Sequence, residues 1–154
     1  MKMTAFGIGL VVAALSVSIA SVMAQGTQAA RHIPASEATA IIEKALASKQ
    51  TQLAAGKNYN LMVLRRTGVS EAEFHQKRTH VFFIQDGEAT FVTGGEMVEM
   101  RETGPGERRS KSVSNGTTVT LHKGDVVVVP PATIHWFKEA PTQVTYYSVN
   151  IDEP

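Results

Sequence analysis

The order of apolar and polar positions divides the chain into three stretches. The first holds a long apolar run, Phe6–Ala20. The second, Glu37–Ser48, places Ala38, Ile41, Ile42, Ala45 and Leu46 at helical spacing, with Ser36 where a capping residue is expected. From Tyr59 onward the period changes to short β-rich runs separated by turn residues: Tyr59–Arg66, Thr79–Gln85, Glu88–Thr93, Met97–Met100, Thr117–Leu121, Val126–Val129, Ile134–Phe137 and Val144–Ile151. So many short strands after a single helix predict an all-β sandwich or barrel. Asp86-Gly87 and Gly94-Gly95 read as hairpin turns, because both central positions of such turns favour positive φ, so consecutive strands are expected to pair antiparallel. Arg101–Gly116 holds Gly104, Pro105, Gly106 and Gly116 and no pattern of its own. It reads as a loop and a candidate lid.

The apolar run near the start has the features of an export leader. Lys2 supplies a positive end, and Val22-Met23-Ala24 offers small residues before a cleavage point at Gln25. The competing reading is a membrane anchor, since no charge appears between Lys2 and Arg31, but Ser16, Ser18 and Ser21 interrupt the run. The expected organisation is a signal peptide over 1–24, an N-terminal arm and helix over 25–58, and a barrel domain over 59–154. The mature protein is expected to be periplasmic or secreted, with no stable membrane association after cleavage.

Chemistry concentrates in the β-rich part. The chain has no cysteine, so any metal must be held by His, Asp or Glu. Glu73 and His75 are two apart, which in an extended segment puts both side chains on one face. His80 opens the run Val81–Ile84 and shares its face with Phe82. His135 follows Pro130-Pro131. Each of these alone is an ordinary surface or core residue, and their joint significance depends on whether the fold brings them together.

These residues fall where the chain resembles the cupin family, whose two motifs are written G-x5-H-x-H-x3,4-E-x6-G and G-x5-P-x-G-x2-H-x3-N. Gly124, Pro130 and His135 match the second motif in register, with Ala132 at its turn glycine and Glu139 at its final asparagine. Counted back from Gly87, the first motif puts His80 at the family's glutamate and Glu73-Phe74-His75 at its His-x-His, with Gly68 one place from the first glycine. The resemblance spans Tyr59–Ile151. It implies an antiparallel jelly-roll barrel of six to eight strands preceded by one helix. It also implies a site of three imidazoles and one carboxylate, Glu73, His75, His80 and His135, holding one divalent ion of Zn, Fe, Mn, Ni or Cu. Cupins that keep the barrel without the metal are the competing case.

Around that site, strand parity places Tyr146, Ser148 and Asn150 on one face of the last strand. Phe82, Tyr146 and Ser148 are the expected pocket residues, with Trp136 and Phe137 as further aromatic walls. Arg65 and Arg66 end the first strand, where one of them is placed to hold an anionic substrate or to form a salt bridge at the rim.

Composition removes other classes. A formal net charge of +1 gives no footprint for nucleic acid. The short basic run with Arg108, Arg109 and Lys111 reads as a solvated loop. No phosphate loop, cofactor fingerprint or Ser-His-Asp order is present. The resemblance therefore implies a metal-dependent enzyme acting on a small organic molecule, an oxygenase, isomerase or lyase. The alternative is a non-catalytic cupin that binds or senses a small molecule. The partners expected are that small molecule and a second copy of the chain, as a homodimer.

Overall fold

A computed structural model describes residues 30–48 and 50–154; the leader expected over 1–24 lies outside the described residues. The helical spacing produces α1, Ala35–Ser48. Ser36 lies inside its first turn rather than at the cap, and the Ala38 N–H donates to the Pro34 carbonyl at 2.9 Å. No helix among the described residues is long and apolar enough to cross a membrane. The strands are β1 (Gln50–Ala55), β2 (Tyr59–Val69), β3 (Ala72–His75), β4 (Arg78–Thr93), β5 (Glu96–Val98), β6 (Arg101–Gly104), β7 (Glu107–Ser110), β8 (Ser112–Ser114), β9 (Thr117–His122), β10 (Val126–Val129) and β11 (His135–Asp152).

The long strand β11 organises the molecule. It pairs antiparallel with β2 on one side and β4 on the other, and β1 extends the sheet beyond β2. β10 and β9 both pair with β4, along its first and second halves. At its start β11 meets β3 through His135 opposite Glu73, and β3 leads on to β7 and β6. β5 and β8 form a separate ribbon. Among the described residues every pairing is antiparallel, and the result is a jelly-roll barrel preceded by one helix.

The interior is filled from both halves of β4 and β11. Phe82, Ile84, Phe91, Phe137, Val144 and Tyr146 are buried together, and Phe137 stacks on Tyr146 at 4.6 Å between ring centroids. Burying a ring such as Phe91, 1% exposed, contributes about 1.5–3 kcal/mol. On the outer face α1 lays Ile41 and Ile42 against Leu53 and Val63. Trp136 departs from the expected wall role. It packs with Ala72 and Val92 in a separate cluster, and its indole N–H donates to the Ser70 carbonyl at 2.8 Å.

Four features of the chain differ from the sequence expectation. Asp86-Gly87 does not turn a hairpin, because the runs on either side of it form the single strand β4. The register against β11 slips between Ile84 and Asp86, so an extra residue reverses parity, and Ile84 and Ala89 both face the core. Gly94 and Gly95 do have positive φ, yet the strand they lead into pairs with β8 rather than folding back on β4. Arg101–Gly116 is no loop: it holds β6, β7 and β8, and β7 pairs with β3 at the edge of the histidine site. The expected Ile134–Phe137 and Val144–Ile151 strands are likewise one, with a register shift between Ala140 and Val144 where it pairs with β2.

Candidate metal centre

The site forms where β3, β4 and β11 meet. Alternation along β3 keeps Glu73 and His75 on one face, the β11–β3 register sets His135 opposite Glu73, and the β4–β11 register sets His80 opposite Asn150. His75, His80 and His135 are all buried, with ring centroids 4.8 Å (His75–His80), 4.9 Å (His80–His135) and 5.4 Å (His75–His135) apart. Their ligand nitrogens lie within 4.8 Å of one another.

What holds each ring decides which nitrogen faces inward. His75 Nδ1 is hydrogen-bonded to the Glu107 carboxylate. His80 Nδ1 donates to Asn150 Oδ1 at 2.7 Å, and His135 Nδ1 donates to the Thr133 carbonyl at 3.1 Å. For His80 and His135 the acceptor keeps the proton on Nδ1 and leaves a lone pair on Nε2, whereas His75 has a carboxylate at each nitrogen, Glu107 at Nδ1 and Glu73 at 3.4 Å from Nε2. Asn150 is itself oriented, since Oδ1 also accepts from Ser148 and Nδ2 donates to Asn60 Oδ1 at 2.5 Å. The inward nitrogens of His80 and His135 are buried with no hydrogen-bond partner, and an orphaned buried nitrogen is costly unless something coordinates it.

Glu73 joins from one side. Its Oε2 is 3.4 Å from His75 Nε2 and 3.8 Å from His135 Nε2, while its Oε1 accepts from Arg66 Nη2 at 3.2 Å. Arg109 Nη1 stands 3.4 Å from Oε2. Burial pushes the carboxyl up, but the hydrogen bond from His75 and the guanidiniums of Arg66 and Arg109 outweigh it and hold the carboxyl well below its usual range. Burial pushes His80 down to about 3 and His135 down to about 4. Both rings are therefore neutral at pH 7, the form that ligates. Three imidazoles, two of them held neutral by burial, and one ionised carboxylate are a donor set that suits first-row divalent ions.

The histidines open into a cavity of about 190 Å³. Phe82, Tyr146 and Ser148 line it, as do Arg66, Arg109 and Phe137. Tyr146 is fully buried; its hydroxyl accepts from Arg66 Nε at 2.6 Å, and burial raises its pKa to about 12.

The family model described as cupin matches residues 44–154. The chain is a cupin. No curated protein matches this cupin in sequence. Among solved structures it is similar to a hydroquinone 1,2-dioxygenase in complex with Cd2+ and 4-hydroxybenzonitrile, at 19% identity over 74% of this chain and 72% of that one, with a TM-score of 0.55. It is also similar to the hydroquinone 1,2-dioxygenase from Sphingomonas sp. TTNP3 with 4-hydroxybenzoate bound, at 14% identity over 69% and 66% of the two chains, with a TM-score of 0.51. A third is the Schizosaccharomyces pombe Cnp3 cupin domain, at 14% identity and a TM-score of 0.50, where the match covers 68% of this chain and spans only 60% of that one. At these identities the likeness is one of fold.

The cupin places the sequence-selected residues unevenly. The three histidines and Glu73 converge, whereas His122 lies away from them, its side chain 63% exposed beside Glu88. Sequence reasoning missed Glu107 and Arg109, whose segment read as a solvated loop. The available signal was the alternation Glu107, Arg109 within a short polar run, which puts both on one face of a strand.

Proposed function

We propose that this cupin holds one divalent metal ion on Glu73, His75, His80 and His135 and is a metal-dependent enzyme acting on a small organic molecule outside the cytoplasm. The observation that carries the reading is the pair of buried, unpartnered Nε2 atoms on His80 and His135, aimed at a third imidazole and flanked by an ionised carboxylate. A bound ion would supply Lewis acidity toward an oxygen of the organic molecule. The chain supplies the rest. Asn150 and the Thr133 carbonyl fix the tautomers of His80 and His135, and Glu107 orients the His75 ring. Arg66 steadies Glu73, while Phe82 and Phe137 exclude water from one wall. The Tyr146 hydroxyl accepts from Arg66, so its own proton is free to be donated into the cavity. Two relatives in fold are hydroquinone 1,2-dioxygenases, so oxygenase chemistry is the first class to assay, ahead of isomerase and lyase.

Elemental analysis of protein purified without a chelating tag tests the metal. One equivalent is expected, strongly reduced in His80→Ala and Glu73→Ala and unchanged in His122→Ala. A metal-free parent that takes up no divalent ion would sink the reading. Metal without turnover would leave a non-catalytic binding cupin. Export is tested separately, since intact-mass analysis of the natively expressed protein should show a mature start at Gln25, and a retained Met1 in a membrane fraction would replace the leader with an anchor.

A further inference from the structure

We propose that the cavity beside the histidines takes a small organic carboxylate with a flat apolar body, its carboxylate held by Arg66 and Arg109. This deepens the metal-site reading above, although both arginines line the cavity whether or not an ion is present. Arg66 comes from β2 and Arg109 from β7, and they reach Glu73 from two sides, at 3.2 Å to Oε1 and 3.4 Å to Oε2. One carboxylate thus serves two guanidiniums. Arg109 is the less satisfied: its Nη1 is buried and makes no hydrogen bond. A guanidinium presents five N–H donors in a planar fork that matches a carboxylate, so a second carboxylate is the complement this pair lacks.

The charge balance points the same way. A third arginine, Arg78, lines the cavity but is paired at 2.6 Å with Asp152. Glu107 is engaged by His75 and lines the neighbouring cavity. With Arg78 offset by Asp152, Arg66 and Arg109 share the single negative charge of Glu73, which leaves an excess of one positive charge on the cavity lining before any ion is counted. An organic anion reduces that excess, whereas a neutral molecule leaves it.

The apolar part of the lining sets the rest of the ligand. Met62, Leu64, Phe82 and Phe137 are apolar, and Phe137 is itself covered by Arg66, whose guanidinium carbon is 5.3 Å from the ring centroid. At about 190 Å³ the space is below the roughly 300–1,000 Å³ of drug-sized sites, which excludes nucleotides and oligosaccharides. An inorganic anion would use the arginines and gain nothing from the apolar lining of Met62, Leu64, Phe82 and Phe137.

Isothermal titration with benzoate and with its neutral, similarly shaped analogue benzamide separates charge from shape, and inorganic phosphate supplies a bare anion. Each is titrated into the metal-loaded and the metal-stripped protein, so a failed metal reading does not stop the measurement. Benzoate is expected to bind about tenfold or more tightly than benzamide in both forms, a difference of roughly 1.4 kcal/mol, and more tightly than phosphate. Arg109→Gln should remove most of that preference. Arg109→Lys, which keeps the charge and loses the fork, should fall between, with far-ultraviolet circular dichroism confirming that both variants fold. Equal binding of benzoate and benzamide, phosphate binding as tightly as benzoate, or a preference that survives Arg109→Gln would each overturn the proposal. A preference seen only in the metal-loaded protein would assign the anion to the ion, and would overturn it too.

Discussion

At the scale of single residues, the groups behind the histidines matter as much as the histidines. Asn150 accepts from His80 and is locked by Asn60, so Asn150→Leu should free the His80 ring and weaken metal binding about 10- to 100-fold, measured by competition with a chromogenic chelator. Equal affinity would show that packing alone orients the ring. Ala132 carries a different strain. It stands at the family's turn glycine with φ at 55°, and its N–H donates to the His75 carbonyl at 2.9 Å. A left-handed conformation costs a residue with Cβ roughly 1–2 kcal/mol, so Ala132→Gly should stabilise the protein by about 1 kcal/mol in denaturant titrations. The three histidines and Glu73 were legible because motif spacing and strand parity fix which way a side chain leaves the backbone. Glu107 was not, because its partner His75 is 32 positions away and no local pattern encodes that pairing.

At the scale of elements, turn chemistry misled where pairing decided. Gly87 does adopt positive φ, as the Asp-Gly signal implies, but the strand continues through it. What demands glycine there is the neighbouring strand: a Cβ would lie 2.0 Å from the Gln143 carbonyl oxygen. Gly87→Ala should therefore cost more than about 1 kcal/mol, beyond the conformational term alone, and an urea midpoint equal to the parent's would show that β11 yields easily. The strands β6 and β7 escaped notice for the opposite reason. Their residues are polar, including Arg101, Glu102, Arg108 and Arg109, because β6 is largely exposed and β7 turns Arg109 to a charged cavity rather than a hydrophobic core. Alternation in hydrophobicity is a signal of core-facing strands only.

At the scale of the whole molecule, the buried imidazoles couple folding to pH. An exposed histidine in the unfolded chain titrates near 6.5, whereas His80 and His135 titrate at about 3 and about 4 in the fold. The unfolded chain thus binds more protons below pH 6.5. Stability of the metal-stripped protein should fall as pH drops from there toward 4, by about 1.4 kcal/mol per histidine for each unit. Glu73 adds to the loss only as pH falls below about 4.3, where an unfolded glutamate becomes protonated. Thermal melts of metal-stripped protein at pH 7 and pH 5 check this, and a melting temperature unchanged between them would show that the rings are already charged in the fold.

The strand β11 also has a kinetic consequence. It delivers His135 from one end and Asn150 from the other, and Asn150 meets a ring 70 positions earlier in the chain. The histidine site therefore cannot assemble until β11 has docked between β2 and β4, a step that closes the longest loops in the barrel and that slow β-topologies complete late. An ion that needs the finished site cannot help build it. Metal should act as a latch, lowering the unfolding rate while leaving the refolding rate where it was, so only one limb of a denaturant chevron should move when the ion is added.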